Sequence, residues 1–264
     1  LNEQAEIKKR FDYEIGLARR IQTSFLPPCC PTLPGYQLSA AWRAAREVSG
    51  DFYDFITLSN DRTGITIADV SDKGMPAALF MVLTRTLLRA MAIGKPTTRE
   101  ALERANDLIL SDSQTDMFAT AFYAVLDQST GEITYSNAGH NPPLLYRRAE
   151  QDLIELEGHG LALGVLPGSH IPERHLNLRP GDTLLMYTDG ITEALSPGGE
   201  EYGTPRLADL IAANNRMCAG DLVDEILRSV YDFAGGAPQF DDMTMVVLQR
   251  EDDRVQGAAG IPDA

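Results

Sequence analysis

The amino-acid sequence predicts an α+β fold in which two antiparallel sheets are flanked by helix pairs. Three observations lead there. Beyond an N-terminal helical pattern, the order runs strands, two helices, many strands, two helices and a last strand. Alternating strand–helix–strand units are absent, which argues against a doubly wound parallel sheet. Short turn-rich connections such as Gln128-Ser129-Thr130-Gly131 join neighbouring strands as hairpins do. The 264 residues are enough for one large domain or two small ones. No internal repeat or long linker interrupts residues 30–250.

Residues 1–26 read as a helix. Ile7, Phe11, Ile15, Ala18, Ile21 and Phe25 recur at steps of three and four between Lys, Arg and Glu, and Pro27 and Pro28 end the pattern. Such a stripe either packs on its own domain or pairs with a second copy of the chain and carries a signal from an upstream domain. It is short for a self-sufficient coiled coil. The chain begins at Leu1 inside this helical pattern, which suggests the C-terminal part of a longer protein. Strands follow at 36–42, 52–58 and 64–70, with Asn60-Asp61-Arg62-Thr63-Gly64 as the turn between the last two. Pro76 suits the first turn of a helix over 77–92, with Leu79, Val82, Leu83, Leu87 and Met91 as its apolar face. Met81 belongs to the same core-facing set. Thr97 or Thr98 caps the next helix, whose stripe is Leu102, Ala105, Leu108 and Ile109. Strands return at 118–126, 133–138, 144–146, 153–156, 175–178 and 183–188. Helices near 205–213 and 221–234 precede a last strand, 243–249. Residues 253–264 are rich in Gly, Ala and Asp and read as a disordered tail.

Composition excludes several functions. The net charge of −15 repels phosphates of nucleic acid and anionic lipid, so neither is an expected partner. The same charge suits divalent cations. No run of 18 apolar residues predicts a membrane span, and no signal peptide is visible. Cys29, Cys30 and Cys218 show no zinc spacing, and an odd count argues against a disulfide framework. Reduced thiols and a cytoplasmic location are expected, with tethering to an upstream sensor or membrane domain left open.

Four aspartates carry the chemistry. Asp69 ends the strand-like run 63–70 beside a Gly-containing turn, and Asp189 follows the apolar run 184–188 and precedes Gly190. Asp241 borders the run 243–248. Asp51 opens a short strand after Ser49-Gly50, where a small residue allows close backbone approach. Any one of them reads as a turn residue or helix cap. Together they form an oxygen-donor set, extended by the Val70 carbonyl, that suits Mg²⁺ or Mn²⁺. Without a cation, carboxylates so gathered repel one another and take up protons.

These strings resemble the PPM family of metal-dependent, type-2C-like serine/threonine phosphatases, in its bacterial SpoIIE/RsbU-like branch. The resemblance spans roughly residues 14–249. It rests on Ala18-x-x-Ile21-Gln22-x-x-Phe25-Leu26-Pro27, Glu47-Val48-Ser49-Gly50-Asp51-Phe52-Tyr53-Asp54, Asp69-Val70-Ser71-Asp72-Lys73-Gly74, Met117-Phe118-Ala119-Thr120, Asn137-Ala138-Gly139-His140-Asn141-Pro142-Pro143, Tyr187-Thr188-Asp189-Gly190-Ile191-Thr192-Glu193-Ala194 and Asp241-Asp242-Met243-Thr244. It implies a four-layer α-β-β-α sandwich over 29–252, behind an N-terminal linker or dimerisation helix over 1–28. It also implies two Mn²⁺ or Mg²⁺ ions and direct attack of a metal-activated water on a phosphoserine or phosphothreonine.

By motif match, Asp69 bridges both ions and the Val70 carbonyl joins one of them. Asp189 and Asp241 complete the first site, with Asp242 the alternative to Asp241, and Asp51 serves the second. Asp54, Asn137, His140 and Glu193 are expected to support these ligands. The implied substrate is a phosphorylated STAS-domain protein, an anti-sigma-factor antagonist in a partner-switching pathway. A homodimer through the N-terminal helix is the assembly expected from its apolar stripe. Ser49 departs from the Gly usual in the family, and Asp72 sits where Gly is common. Arg46 matches no position with a catalytic role.

Overall fold

Strand pairing sorts the chain into two sheets. The computed structural model describes residues 2–58, 61–94, 97–112 and 116–252. In chain order the elements are α1 (Asn2–Phe25), β1 (Tyr36–Arg43), β2 (Phe52–Thr57), β3 (Arg62–Val70), α2 (Met75–Ala92), α3 (Thr98–Asp112), β4 (Ala119–Asp127), β5 (Glu132–Ala138), β6 (Leu144–Arg147), β7 (Asp152–Glu155), β8 (His159–Gly160), β9 (Glu173–Asn177), β10 (Thr183–Tyr187), α4 (Asp189–Thr192), α5 (Gly203–Ala213), α6 (Ala219–Ala234) and β11 (Met243–Arg250). One sheet has the order β1-β11-β10-β6-β7. The other runs β2-β3-β4-β5-β8, with β9 also paired to β5. All pairings are antiparallel except β5 with β8, where Asn137 stands opposite His159. That two-residue strand and the single-turn α4 were not foreseen; both are too short for a periodic signal.

The alternation of side chains explains the four layers. Leu184 and Met186 of β10, with Val246 and Leu248 of β11, point between the sheets and meet Ile65, Ile67, Phe122 and Leu126 there. Their neighbours Leu185, Tyr187, Met245 and Val247 point the other way, into a core formed with Leu207, Ile211, Leu222 and Ile226 of α5 and α6. On the far side, Ala68 and Val70 meet Met81, Leu88, Leu102 and Ile109 of α2 and α3. β10 and β11 are buried on both faces and are apolar almost throughout.

Several local expectations hold. Pro76 lies in the first turn of α2. Thr97 and Glu100 form a reciprocal capping box, with Thr97 Oγ1 accepting from the Glu100 amide at 3.1 Å and Glu100 Oε2 from the Thr97 amide at 3.3 Å. All three cysteines are free. The turn at 60–64 begins outside the described residues, and Arg62, Thr63 and Gly64 already belong to β3. The tail 253–264 also lies outside them.

The inward face of α2 is partly the expected one: Met81 is buried in the core, and Val82, Leu87 and Met91 pack against it. Ala77, Ala78, Phe80, Met81, Thr84, Leu88 and Ala92 are buried, whereas Leu79 is 68% exposed. Ala77, Met81, Thr84, Leu88 and Ala92 sit on one helical stripe that faces the sheet. By length and apolarity α2 passes as a membrane span, yet it packs on the sheet as a core helix. α1 splits the expected stripe. Ile15, Ala18 and Phe25 are half-buried, Gln22 and Leu26 are buried, and Ile7, Phe11, Leu17 and Ile21 are exposed.

Candidate active site

Strand register brings the aspartates together. In the second sheet Phe52 pairs with Ala68, so Asp51, just before β2, lies beside Asp69 near the end of β3. In the first sheet Tyr187 pairs with Met245, so Asp189, just after β10, lies beside Asp241-Asp242, just before β11. Stacking the sheets sets one pair against the other. Contacts cross between the sheets at this point. Thr188 Oγ1 donates to Asp51 Oδ2 at 2.7 Å, and the Gly50 amide donates to Asp242 Oδ2 at 2.8 Å.

The electrostatics record the crowding. Asp51 is almost wholly buried, and burial, followed by the charges of Asp69 and Asp242, drives its pKa well above the usual carboxylate value. Asp69 is pushed up to about 7, chiefly by burial and then by Asp189, while a hydrogen bond with Asp51 opposes the rise. Burial and then Asp241 raise Asp189. Glu193 is raised by burial and then by Asp189, from the mouth of the site. Among the described residues one cation pairs with the group: Lys73 Nζ lies 2.7 Å from Asp241 Oδ2, 3.0 Å from the Phe240 carbonyl oxygen and 4.0 Å from the Phe240 ring centroid. Its single charge faces the acids at 51, 69, 189, 241 and 242.

The two C-terminal aspartates have different surroundings. Both oxygens of Asp242 accept main-chain hydrogen bonds, Oδ1 from Ala45 at 2.7 Å and Oδ2 from Gly50. Asp242 thereby ties the 45–50 loop to β11. Asp241 is more open, and its Oδ1 accepts from the Asp242 amide at 2.9 Å. Gly190 makes this packing possible, because a Cβ there would stand 1.9 Å from the Asp242 carbonyl oxygen. At Gly50 a Cβ would stand 3.0 Å from the Val70 carbonyl oxygen, so that carbonyl lies directly against the loop that carries Asp51.

The supporting residues divide. Asp54 does not join the cluster. Its buried carboxylate pairs with Arg85 at 3.0 Å and Arg89 at 2.7 Å and anchors α2 to β2. Asn137 closes the turn before His140, accepting from the His140 amide at 2.7 Å and donating to the His140 carbonyl at 3.0 Å. His140 Nδ1 lies 2.8 Å from Thr120 Oγ1, beside β3, and burial pushes the ring down to about 3, so it is neutral. Glu193 alone of the four feels the cluster's charge. Thr188 and Lys73 were given no role from sequence. Both stand inside the motif strings, and Lys73 was legible as the lone cation within an acidic set.

The donors are all oxygen, as hard divalent cations require. The raised carboxyls show negative charge that Lys73 leaves uncompensated. The residues thus fit a magnesium- or manganese-type site. Among the described residues, no group of three or more acidic, His or Cys side chains is closed around one point.

Comparison with known proteins agrees with this geometry. The profile of the Stage II sporulation protein E (SpoIIE) family matches residues 59–251. Protein IcfG of Synechocystis sp. is 36% identical over 90% of this chain and 41% of its own length. Phosphoserine phosphatase RsbU of Bacillus subtilis is 30% identical over 94% of this chain and 72% of its own length. The chain therefore spans less than half of the first relative and about three quarters of the second. Among solved structures, the SiaA-PP2C domain of Pseudomonas aeruginosa superposes with a TM-score of 0.83 at 22% identity, covering 93% of this chain and 99% of that domain. With its paired sheets, its flanking helices and its strand-end carboxylates, the chain belongs to the SpoIIE family of PP2C-type phosphatases.

Proposed function

We propose that this chain is a metal-dependent phosphoprotein phosphatase. It removes phosphate from phosphoserine or phosphothreonine at the site formed by Asp51, Asp69, Asp189 and Asp241. The observation that carries the reading is the meeting of these carboxylates at one end of the two sheets, with burial and mutual repulsion raising the pKa of Asp51, Asp69 and Asp189. PP2C-type phosphatases depend on Mn²⁺ or Mg²⁺. When bound, two such ions polarise phosphoryl oxygens and lower the pKa of water enough to make it a nucleophile at neutral pH.

Asp69, flanked by Asp51 in its own sheet and charge-coupled to Asp189 of the other, is the residue suited to serve both ions. The Val70 carbonyl and Asp51 belong to one side of the site, and Asp189 and Asp241 to the other. Asp241 is the ligand in preference to Asp242, whose two oxygens already hold the Ala45 and Gly50 amides. Lys73 keeps Asp241 in place and sets a positive charge where the phosphate dianion arrives. Thr188 orients Asp51.

The substrate class is a phosphorylated STAS-domain protein in a partner-switching pathway, and the setting is the cytoplasm. The support is the likeness to RsbU over nearly the whole chain. The exposed Ile7, Phe11, Leu17 and Ile21 of α1 support a homodimer through that helix. The test is Mn²⁺-dependent phosphate release from such a phosphoprotein. Asp69→Ala and Asp189→Ala should each lower the rate by roughly a hundredfold. A loss of less than about tenfold in both removes the mechanism, given that second-sphere changes alone can reach that size. Release of phosphate from nucleic acid but not from phosphoprotein would replace the substrate class.

A further inference from the structure

We propose that Gln22 is a positioning residue for Asp51: through Ser49 it fixes the Asp51 carboxylate where it can hold a divalent cation. This rests on the metal reading above. Gln22 is 3% exposed on a helix whose neighbouring residues Ile21 and Thr23 are exposed. A buried amide is costly unless its polar atoms are paired. Both of them are: Nε2 donates to the Ser49 carbonyl at 2.6 Å, and Oε1 accepts from the Ser49 amide at 3.0 Å. One side chain thus satisfies both main-chain groups of a single residue, as a neighbouring strand would.

Ser49 passes this constraint on. It is wholly buried, and its Oγ accepts from the Asp51 amide at 3.0 Å. A Gly at this position, usual in the family, has no such acceptor. The loop is then held by Gln22 of α1, by Asp242 through the Gly50 amide, by Thr188 on the Asp51 carboxylate, and by Trp42 Nε1, which donates to the Asp51 carbonyl at 3.0 Å. Only the first of these holds comes from outside the two sheets. α1 otherwise presents mainly exposed side chains, so its grip on the body is concentrated at Gln22, Leu26 and the half-buried Ile15, Ala18 and Phe25. Losing the Gln22 amide while the helix stays in place leaves the Ser49 N–H and C=O buried without those partners. The 49–51 segment then relaxes and carries Asp51 off its position.

The test is calorimetric titration of Mn²⁺ into the whole chain, with thermal melting in EDTA as a check on folding. Gln22→Leu keeps the volume and removes both hydrogen bonds. Gln22→Glu keeps an acceptor for the Ser49 amide but sets an oxygen against the Ser49 carbonyl. Each should melt cooperatively and bind one of its two cations roughly tenfold more weakly, the scale seen when groups behind metal ligands are lost. Asp51→Asn should weaken the same cation at least as much. If Asp51→Asn weakens binding while both Gln22 variants bind as the parent does, the coupling is refuted. If Asp51→Asn has no effect either, the assignment of Asp51 as a ligand is what fails. Should neither Gln22 variant fold, Ser49→Ala decides, because it cuts only the Ser49 Oγ link; unchanged affinity there also overturns the proposal.

Discussion

Asp69 illustrates what burial does to one carboxyl. In the folded, metal-free protein it is pushed up to about 7 by burial and then by Asp189, against roughly 4 in an unfolded chain. The folded state therefore binds a proton that the unfolded state has released. The stability so gained is complete below about pH 4 and is lost as pH rises through about 7. Asp51, Asp189 and Glu193 shift in the same direction. In EDTA the protein should melt at a higher temperature at pH 6.5 than at pH 8, a window above the range in which His140, held neutral by burial, works in the opposite sense. Millimolar Mn²⁺ should raise the melting temperature most at pH 8, where the carboxylates are free to bind it. Equal melting at the two pH values in EDTA contradicts this account. Gly190 shows a second kind of residue-level constraint. Gly190→Ala puts a methyl group 1.9 Å from the Asp242 carbonyl oxygen, and relief requires the 241–242 backbone to move. Phosphatase activity should fall by at least about tenfold although no side chain of the site is removed, a loss of the size expected when ligand support is disturbed.

At the level of elements, α2 separates two apolar sets that look alike in the sequence. Met81 is wholly buried and Leu79 is 68% exposed. Met81→Ala should cost about 3 kcal/mol, while Leu79→Ala should stay within about 0.5 kcal/mol. Chemical denaturation distinguishes them, and a cost at Leu79 as large as that at Met81 would restore Leu79 to the face read from the sequence. That reading gave weight to large residues. The buried stripe mixes sizes, with Ala77, Thr84 and Ala92 beside Met81 and Leu88. Asp54 was taken from its string as a supporter of the metal site, but its partners are Arg85 and Arg89 of α2. Asp54→Ala leaves the largely buried Arg85 without its counter-charge and should destabilise the fold by about 3 kcal/mol, with a smaller effect on metal affinity than Asp51→Asn. Strand boundaries were legible to within a residue or two, because hairpin turns and apolar runs mark them locally. The one-turn α4 and the two-residue β8 were not, being defined by hydrogen bonds to distant partners.

Across the whole molecule, two internal sheet faces and two helix-covered faces give three cores. The site forms where both sheets end together, and the N-terminal helical segment reaches the cores only at its C-terminal end, where Leu26 joins the α2–α3 core. Its exposed Ile7, Phe11, Leu17 and Ile21 suit a helix that pairs with a copy of itself. Sedimentation should show a concentration-dependent dimer that Phe11→Glu shifts towards monomer. An unchanged mass distribution in that variant excludes α1 as the interface. The sequence by itself determined the fold class, nearly every long element and the aspartates that matter, since periodicity, turn residues and short motif strings are written locally. Only the tertiary structure decided which partner each of these residues has. It committed Asp242 to two loop amides, Asp54 to α2, Lys73 to Asp241 and Gln22 to Ser49. Those pairings join residues from 27 to 197 positions apart, and which groups meet at such separations depends on strand register and sheet stacking, to which no local pattern in the chain is bound.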